Sequence, residues 1–251
     1  PRWIGLAAAV RQTSSPLLRN AGTVGGNLRI DTRCTFYNQP AIFRERWGPC
    51  FKLGGSVCHA VRRSERCHAV YCGDLAGPLV ALDAQVGVAG SSGRRQMSVA
   101  DMFSGDAATP STLSWDEVVT DVRIPGAGRP FLIDYQKCRL RDSIDFPLVG
   151  VSVCLWWERG FDTDARPVIT AARVALSAAG PAPLLVPEAG ALLEGQRLTS
   201  DLAVRAAEPL GAALGREATF VGNAAAGAAY RRNMITVLAR RALRALAAQT
   251  D

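Results

Sequence analysis

Five of the seven cysteines in this 251-residue chain fall between positions 34 and 72: Cys34, Cys50, Cys58, Cys67 and Cys72. The stretch that carries them is rich in glycine and proline and weak in hydrophobic periodicity, so it must wrap around whatever its thiols hold. Cys138 and Cys154 stand alone in strand-like runs and read as small buried hydrophobes. The odd total argues against a framework made only of disulfides. No Cys-x-x-Cys pair occurs to support a zinc knuckle or a thioredoxin-like centre. The spacers between Cys34, Cys50, Cys58 and Cys67 are 15, 7 and 8 residues. Four thiolates in a basic loop suit an anionic iron–sulfur cluster better than a bare dication, because nearby arginines and backbone N–H groups offset its charge. Spacing alone leaves buried thiols, a structural zinc and disulfides as alternatives. His59 and His68 each directly follow a cysteine; adjacent residues rarely ligate together, so surface or hydrogen-bonding roles are expected of them.

The same stretch is electropositive. Residues 29–67 supply +5 of the net +7, from eight basic side chains against three acidic ones. This predicts attraction to an acidic partner that weakens with salt. With 48% hydrophobic and 20% charged residues, the composition excludes a disordered chain. No apolar run reaches the roughly 18 residues a bilayer span needs. Arg231, Arg232, Arg240, Arg241 and Arg244 read as a solvated helical face, with subunit contact as the second reading; nucleic-acid binding would want interleaved aromatics. The chain opens at Pro1, so a preceding segment and any targeting signal on it are expected to be missing.

Residues 3–12 read as a helix closed by Ser14-Ser15-Pro16. Arg19 to Leu28 reads as a glycine-rich turn feeding an extended segment. After the cysteine loop, Asp74 followed by apolar residues at helical spacing reads as a capped helix. Short strands are expected at 85–89, 95–99 and 117–124, then a linker at Pro125-Gly126-Ala127-Gly128-Arg129-Pro130. Longer strands follow at 131–139, 148–157 and 168–177, and helices at 200–214 and 225–248. The pattern is α+β in two lobes, divided near 125–130.

Four segments, in this order, carry a resemblance. Ala21-Gly22-Thr23-Val24-Gly25-Gly26-Asn27-Leu28 resembles the glycine turn of the FAD-binding subunit in the molybdenum hydroxylase (xanthine dehydrogenase) family. Phe103-Ser104-Gly105-Asp106 resembles that family's aromatic-x-Gly-Asp segment. Tyr135 to Phe146 resembles the opening of its C-terminal lobe, and Tyr230-Arg231-Arg232-Asn233-Met234 the start of its last helix. The resemblance spans about residues 3–247. It implies the second lobe of a two-lobe FAD-binding domain over 1–126, with the first lobe and its own pyrophosphate loop absent. An antiparallel sheet plus helices would follow over 130–251.

Most members of that family join the Gly-Gly-Asn turn to the Asp-Leu helix by a short link. Here the two are 47 positions apart, and the excess, about 32–70, carries the cysteines. With Asp31-Thr32-Arg33-Cys34 and Tyr37-Asn38-Gln39, the insertion resembles the flavin subunit of 4-hydroxybenzoyl-CoA reductases, which bear an additional [4Fe-4S] cluster there. The matching positions are Cys34, Cys50, Cys58 and Cys67. The resemblance implies an electron-transfer role. Electrons from a ferredoxin-like donor would reach FAD through the cluster and then pass to a small [2Fe-2S] subunit. A large molybdopterin subunit would use them to remove the phenolic hydroxyl of the thioester. Cluster chemistry and reduced thiols imply a cytoplasmic location.

The cofactor-binding residues implied are Thr23, Val24, Gly25, Gly26 and Asn27 at the diphosphate, since glycine removes the Cβ that would block backbone N–H groups. An ordinary tight turn is the alternative. Asp74, with Leu75, would meet a ribityl or ribose hydroxyl; a plain helix N-cap is the alternative. Lys137 would direct a cation at the flavin, against a solvated strand lysine. Val118 and Val119 read as ring packing or core. Cys72 reads as a buried thiol near the flavin.

Overall fold

The computed structural model describes residues 3–125, 128–142, 144–158 and 166–250. Gly126 and Ala127 of the expected linker, and Ser143 of the motif opening the second lobe, lie outside them. The chain begins with α1 (Ile4–Gln12), α2 (Pro16–Ala21) and α3 (Val24–Leu28). Proline in the first turn and Ser15 as N-cap, taking the Leu18 N–H at 3.3 Å, start α2. The expected turn-to-strand at 19–28 is instead helix α3, because Thr23 caps it by accepting the Gly26 N–H at 2.9 Å.

The insertion holds α4 (Ala41–Trp47) and a single 3₁₀ turn, Phe51–Leu53. Its ends meet in an antiparallel bridge, with Arg33 and Val70 exchanging two backbone hydrogen bonds of 2.7 Å. Beyond it lie α5 (Ala76–Ala81), β1 (Gln85–Gly90), β2 (Gly93–Ser98) and β3 (Val118–Arg123), which form an antiparallel sheet ordered β2-β1-β3. Val118 is exposed, so only Val119 of that pair packs against the core.

The second half is β4 (Phe131–Cys138), β5 (Val149–Trp156), β6 (Ala171–Ser177) and β7 (Leu184–Leu185), antiparallel in chain order. Four helices follow: α6 (Pro187–Ala191), α7 (Ser200–Arg205), α8 (Ala207–Glu217) and α9 (Ala228–Ala247). The helix expected over 200–214 is thus two helices meeting at Ala206.

Alternation along the strands sends side chains to opposite faces, and here both faces are buried. Val149, Val151, Val153 and Leu155 join Val174 and Leu176 in a core with Leu210, Ile235, Leu238, Leu243 and Leu246 of α8 and α9. Ile133, Tyr135, Cys154 and Ala175 point the other way, into a core with α5, Val86 and Val88. Helix α1 lies on β4 at the same seam. A Cβ on Gly5 would collide with the Ile133 carbonyl, so glycine sets that approach. Among the described residues no helix is long and apolar enough to cross a membrane.

Candidate functional site

The capped turn at Thr23 lies opposite β3. Between them opens a cavity of about 730 Å³ lined by Thr23, Val24, Gly25, Gly26, Arg29 and the strand from Glu117 to Val122. A Cβ on Gly25 would stand 3.2 Å from that of Val119, filling the narrow part of this cleft. Arg29 closes one end by donating to the Glu117 carbonyl at 2.7 Å. A second cavity, about 480 Å³, opens behind the turn, with Val10, Thr13, Leu18, Asn27, Ile30 and Leu75 on its walls. Thr23, Val24 and Gly26 border both. The volumes are those of ordinary cofactor pockets. The N–H groups of a helix's first turn have no intrahelical acceptor and favour anionic partners.

Asn27 ties this turn to the far end of the insertion. Its Oδ1 accepts the Leu75 N–H at 3.1 Å, while its backbone carbonyl accepts the Tyr71 hydroxyl at 3.0 Å. Asp74, expected as an N-cap, does not cap α5, which begins at Ala76 without a side-chain cap. Its carboxylate turns inward instead, accepting the Tyr135 hydroxyl at 3.0 Å and pairing with Lys137 Nζ at 2.9 Å. Lys137 is fully buried, which overturns the solvated alternative. It also donates to the carbonyls of Gln12 and Asp145, at 3.1 and 2.8 Å. Burial pushes the Asp74 carboxyl up from its ordinary value, and Lys137 and Tyr135 oppose that rise. Of the cofactor residues expected from sequence, Thr23, Val24, Gly25, Gly26 and Val119 thus share one cavity. Asn27 and Leu75 share its neighbour. Asp74 and Lys137 line neither cavity and form a buried pair.

The four spaced cysteines, Cys34, Cys50, Cys58 and Cys67, line one small cavity within the insertion, walled by Phe36, Tyr37, Phe51 and Lys52. All seven cysteines are unbridged. Burial raises Cys34 and Cys67, and the other thiols add to that rise by like-charge repulsion. Lys52 is buried there, bonded to Asp31 at 2.6 Å and to the Ala107 carbonyl at 3.1 Å. Among the described residues, no group of three or more His, Cys, Asp or Glu is gathered so as to hold a single metal ion. His59 contacts the Gly48 carbonyl at 3.0 Å beside Phe36 and Trp47, and His68 contacts Ser64 Oγ at 2.8 Å. Cys72 is buried, its thiol pushed up to about 12 by loss of water.

Sequence reasoning missed Tyr71, Tyr135 and Arg29 as site-building residues, and it misplaced Arg231. That arginine is fully buried, not solvated. The signal was available, since Arg231 falls on the α9 stripe with Ile235, Leu238 and Ala242.

Residues 2–127 match the FAD binding domain in molybdopterin dehydrogenase, and residues 134–246 match the CO dehydrogenase flavoprotein C-terminal domain. The aldehyde oxidoreductase FAD-binding subunit PaoB of Escherichia coli K12 is 34% identical over 161 residues, 60% of this chain and 50% of that protein. The nicotine 6-hydroxylase medium subunit of Paenarthrobacter nicotinovorans is 29% identical over 249 residues, 98% of this chain and 68% of that protein. The chain therefore spans half to two-thirds of the length of these relatives. In fold it is similar to a chain of the Hydrogenophaga pseudoflava carbon monoxide dehydrogenase, with TM-score 0.67, 21% identity, and coverage of 97% of this chain and 67% of that one. It is also similar to one of quinoline 2-oxidoreductase from Pseudomonas putida 86, with TM-score 0.62, 18% identity, and coverage of 98% and 67%. The two domain matches together span nearly the whole chain, and the chain belongs to the FAD-binding flavoprotein family of the molybdopterin dehydrogenases.

Proposed function

We propose that this chain is the electron-relaying flavin subunit of a molybdenum-containing oxidoreductase, with FAD in the cleft between α3 and β3. A [4Fe-4S] cluster would be held by Cys34, Cys50, Cys58 and Cys67. FAD, when bound, exchanges one or two electrons and so couples single-electron carriers to a two-electron reaction. The chain's own work is to bind and orient. The backbone of Thr23 to Asn27 would approach the diphosphate, and Leu75 and Val119 would give apolar contact; Asp74, its carboxylate engaged by Tyr135 and Lys137, would have to turn out of the seam to meet a sugar or ribityl hydroxyl. Lys137 holds Asp74 in place and contributes a cation behind the ring.

The observation that carries the cluster is that all four spaced thiols line one cavity, unbridged and beside a buried lysine. A zinc site needs its sulfurs within roughly 4 Å of one another; a four-iron cluster is wider, and its thiolates stand further apart. A small [2Fe-2S] subunit, a large molybdopterin subunit and an acidic ferredoxin-like donor would complete the complex, in the cytoplasm. The residues around Cys34 and Tyr37 support reductive removal of the phenolic hydroxyl of 4-hydroxybenzoyl-CoA. The second reading is a hydroxylase of aldehydes or nitrogen heterocycles whose cysteine loop holds no cluster, favoured by the names of the curated relatives.

Anaerobically purified complex is expected to contain about four irons and four acid-labile sulfides assignable to this chain, with an EPR signal after reduction. Cys50→Ser should lose them and keep the flavin. Flavin without iron overturns the cluster and leaves the second reading; one zinc in place of iron makes the loop a structural site.

A further inference from the structure

Where the insertion meets the C-terminal domain lies a separate cavity of about 280 Å³, bordered by Arg33, Cys72, Phe146, Asn223 and Arg231. Cys34 also lines it, whereas none of the nine expected cofactor-binding residues does. Arg231 is completely buried. Its Nη2 donates to the Val221 carbonyl at 2.5 Å and its guanidinium lies 4.9 Å from the Phe220 ring, yet Nε and Nη1 have no hydrogen-bond partner. A buried guanidinium with unmet donors is costly unless a counter-charge joins it.

The carboxylate on the wall, Asp145, is ion-paired with neither arginine among the described residues; it accepts the N–H groups of Leu140 and Arg141, at 2.9 and 3.2 Å. Burial raises the Cys72 thiol to about 12, so it stays neutral. A second guanidinium, Arg33, stacks 4.3 Å over the Phe146 ring at the same cavity. Asn223 supplies the opposite need. Its Nδ2 donates to the His68 carbonyl, which fixes the amide, and its buried Oδ1 is left without a donor.

We propose that this cavity binds a phosphoryl group, with Arg231 and Arg33 as its cationic donors and Asn223 Oδ1 accepting the proton of its monoprotonated form. Two cations without a paired carboxylate match an anion. The orphaned acceptor selects one that carries a hydroxyl. Hydrogen phosphate carries one near neutral pH, and a phosphate monoester carries one in its monoanion, below a second pKa of about 6; sulfate and carboxylates do not. Because Asn223 also takes the Thr35 N–H on its carbonyl at 3.0 Å, the bound group would fasten the insertion to the C-terminal domain.

The test titrates inorganic phosphate, phenyl phosphate and sulfate, at constant ionic strength, into the flavin-loaded protein, with calorimetry and ³¹P line widths as readouts. One saturable phosphate site is expected, with sulfate at least about tenfold weaker. Tighter phenyl phosphate identifies an organic monoester as the source, and equal affinity identifies free phosphate. Arg33→Ala removes an exposed side chain and should weaken binding about tenfold without unfolding. Arg231→Lys should abolish it. Arg205→Ala, at an exposed arginine of α7 that lines neither this cavity nor the cleft between α3 and β3, should leave it unchanged. Absence of saturable binding, sulfate bound as tightly as phosphate, or loss on Arg205→Ala but not on Arg33→Ala would each overturn the proposal.

Discussion

The C-terminal sheet buries both of its faces, whereas between Cys34 and His68 no apolar residue of the insertion is buried. Ile42, Phe43 and Trp47 of α4 are 74%, 59% and 60% exposed, values the sheet shows for none of its large apolar side chains. One region is held by apolar area removed from water. The other is held by local hydrogen bonds, the bridge at Arg33 and Val70, and contacts around its thiols. Regions of the second kind open at lower free energy than the global transition. Under the proposed function, relaying electrons at a surface and keeping a cofactor cleft rigid would therefore fall to differently built parts of one chain.

The largest effect is expected at the seam between the two halves. Lys137→Met leaves Asp74 buried without its cation and strands the Gln12 and Asp145 carbonyls, at a cost of about 3–5 kcal/mol. Urea unfolding checks this, and adding Asp74→Asn should recover part of the loss. A Lys137→Met variant as stable as the wild type would mean that the seam is as loosely determined as the insertion.

Asp134, on β4, tests the buried sheet by titration. Burial raises its carboxyl to about 6, with Gln136 opposing through a 2.7 Å hydrogen bond. The folded state then holds a proton that the unfolded chain has released above its ordinary value near 4. This carboxyl's contribution to stability therefore falls as pH rises between the two values, by up to about 3 kcal/mol, and stays lost above 6. Asp134→Asn should flatten that dependence and stabilise the protein at pH 7. Melting curves from pH 4 to 7 are the measurement. The smallest effect belongs to the insertion: Phe43→Ser is expected to change stability by less than about 0.5 kcal/mol, and a larger loss would reveal a core that the exposed side chain does not suggest.

Much of this was legible in the sequence where periodicity is strong. The strands at Phe131–Cys138 and Val149–Trp156 and the last helix follow from their apolar spacing. The glycine turn was legible as a motif but not as a helix, because five residues with two glycines have no helical propensity worth reading. The direction of Asp74 was hidden for a different reason. Its partners lie 61 and 63 positions away, and nothing local distinguishes a capping aspartate from one turned into a seam. The convergence of four cysteines with spacers of 7 to 15 residues is likewise a property of the folded loop.

Asn27 and the paired backbones of Arg33 and Val70 have one more consequence. They close the chain on itself at the root of the excursion, so the two strands of its neck enter and leave side by side. Everything beyond that neck can be lengthened, shortened or exchanged for a tight turn while the glycine turn still meets Leu75. The cysteine loop is thus a removable cassette, and under the proposed function a lineage could gain or lose a redox station there without redesigning the turn beneath it.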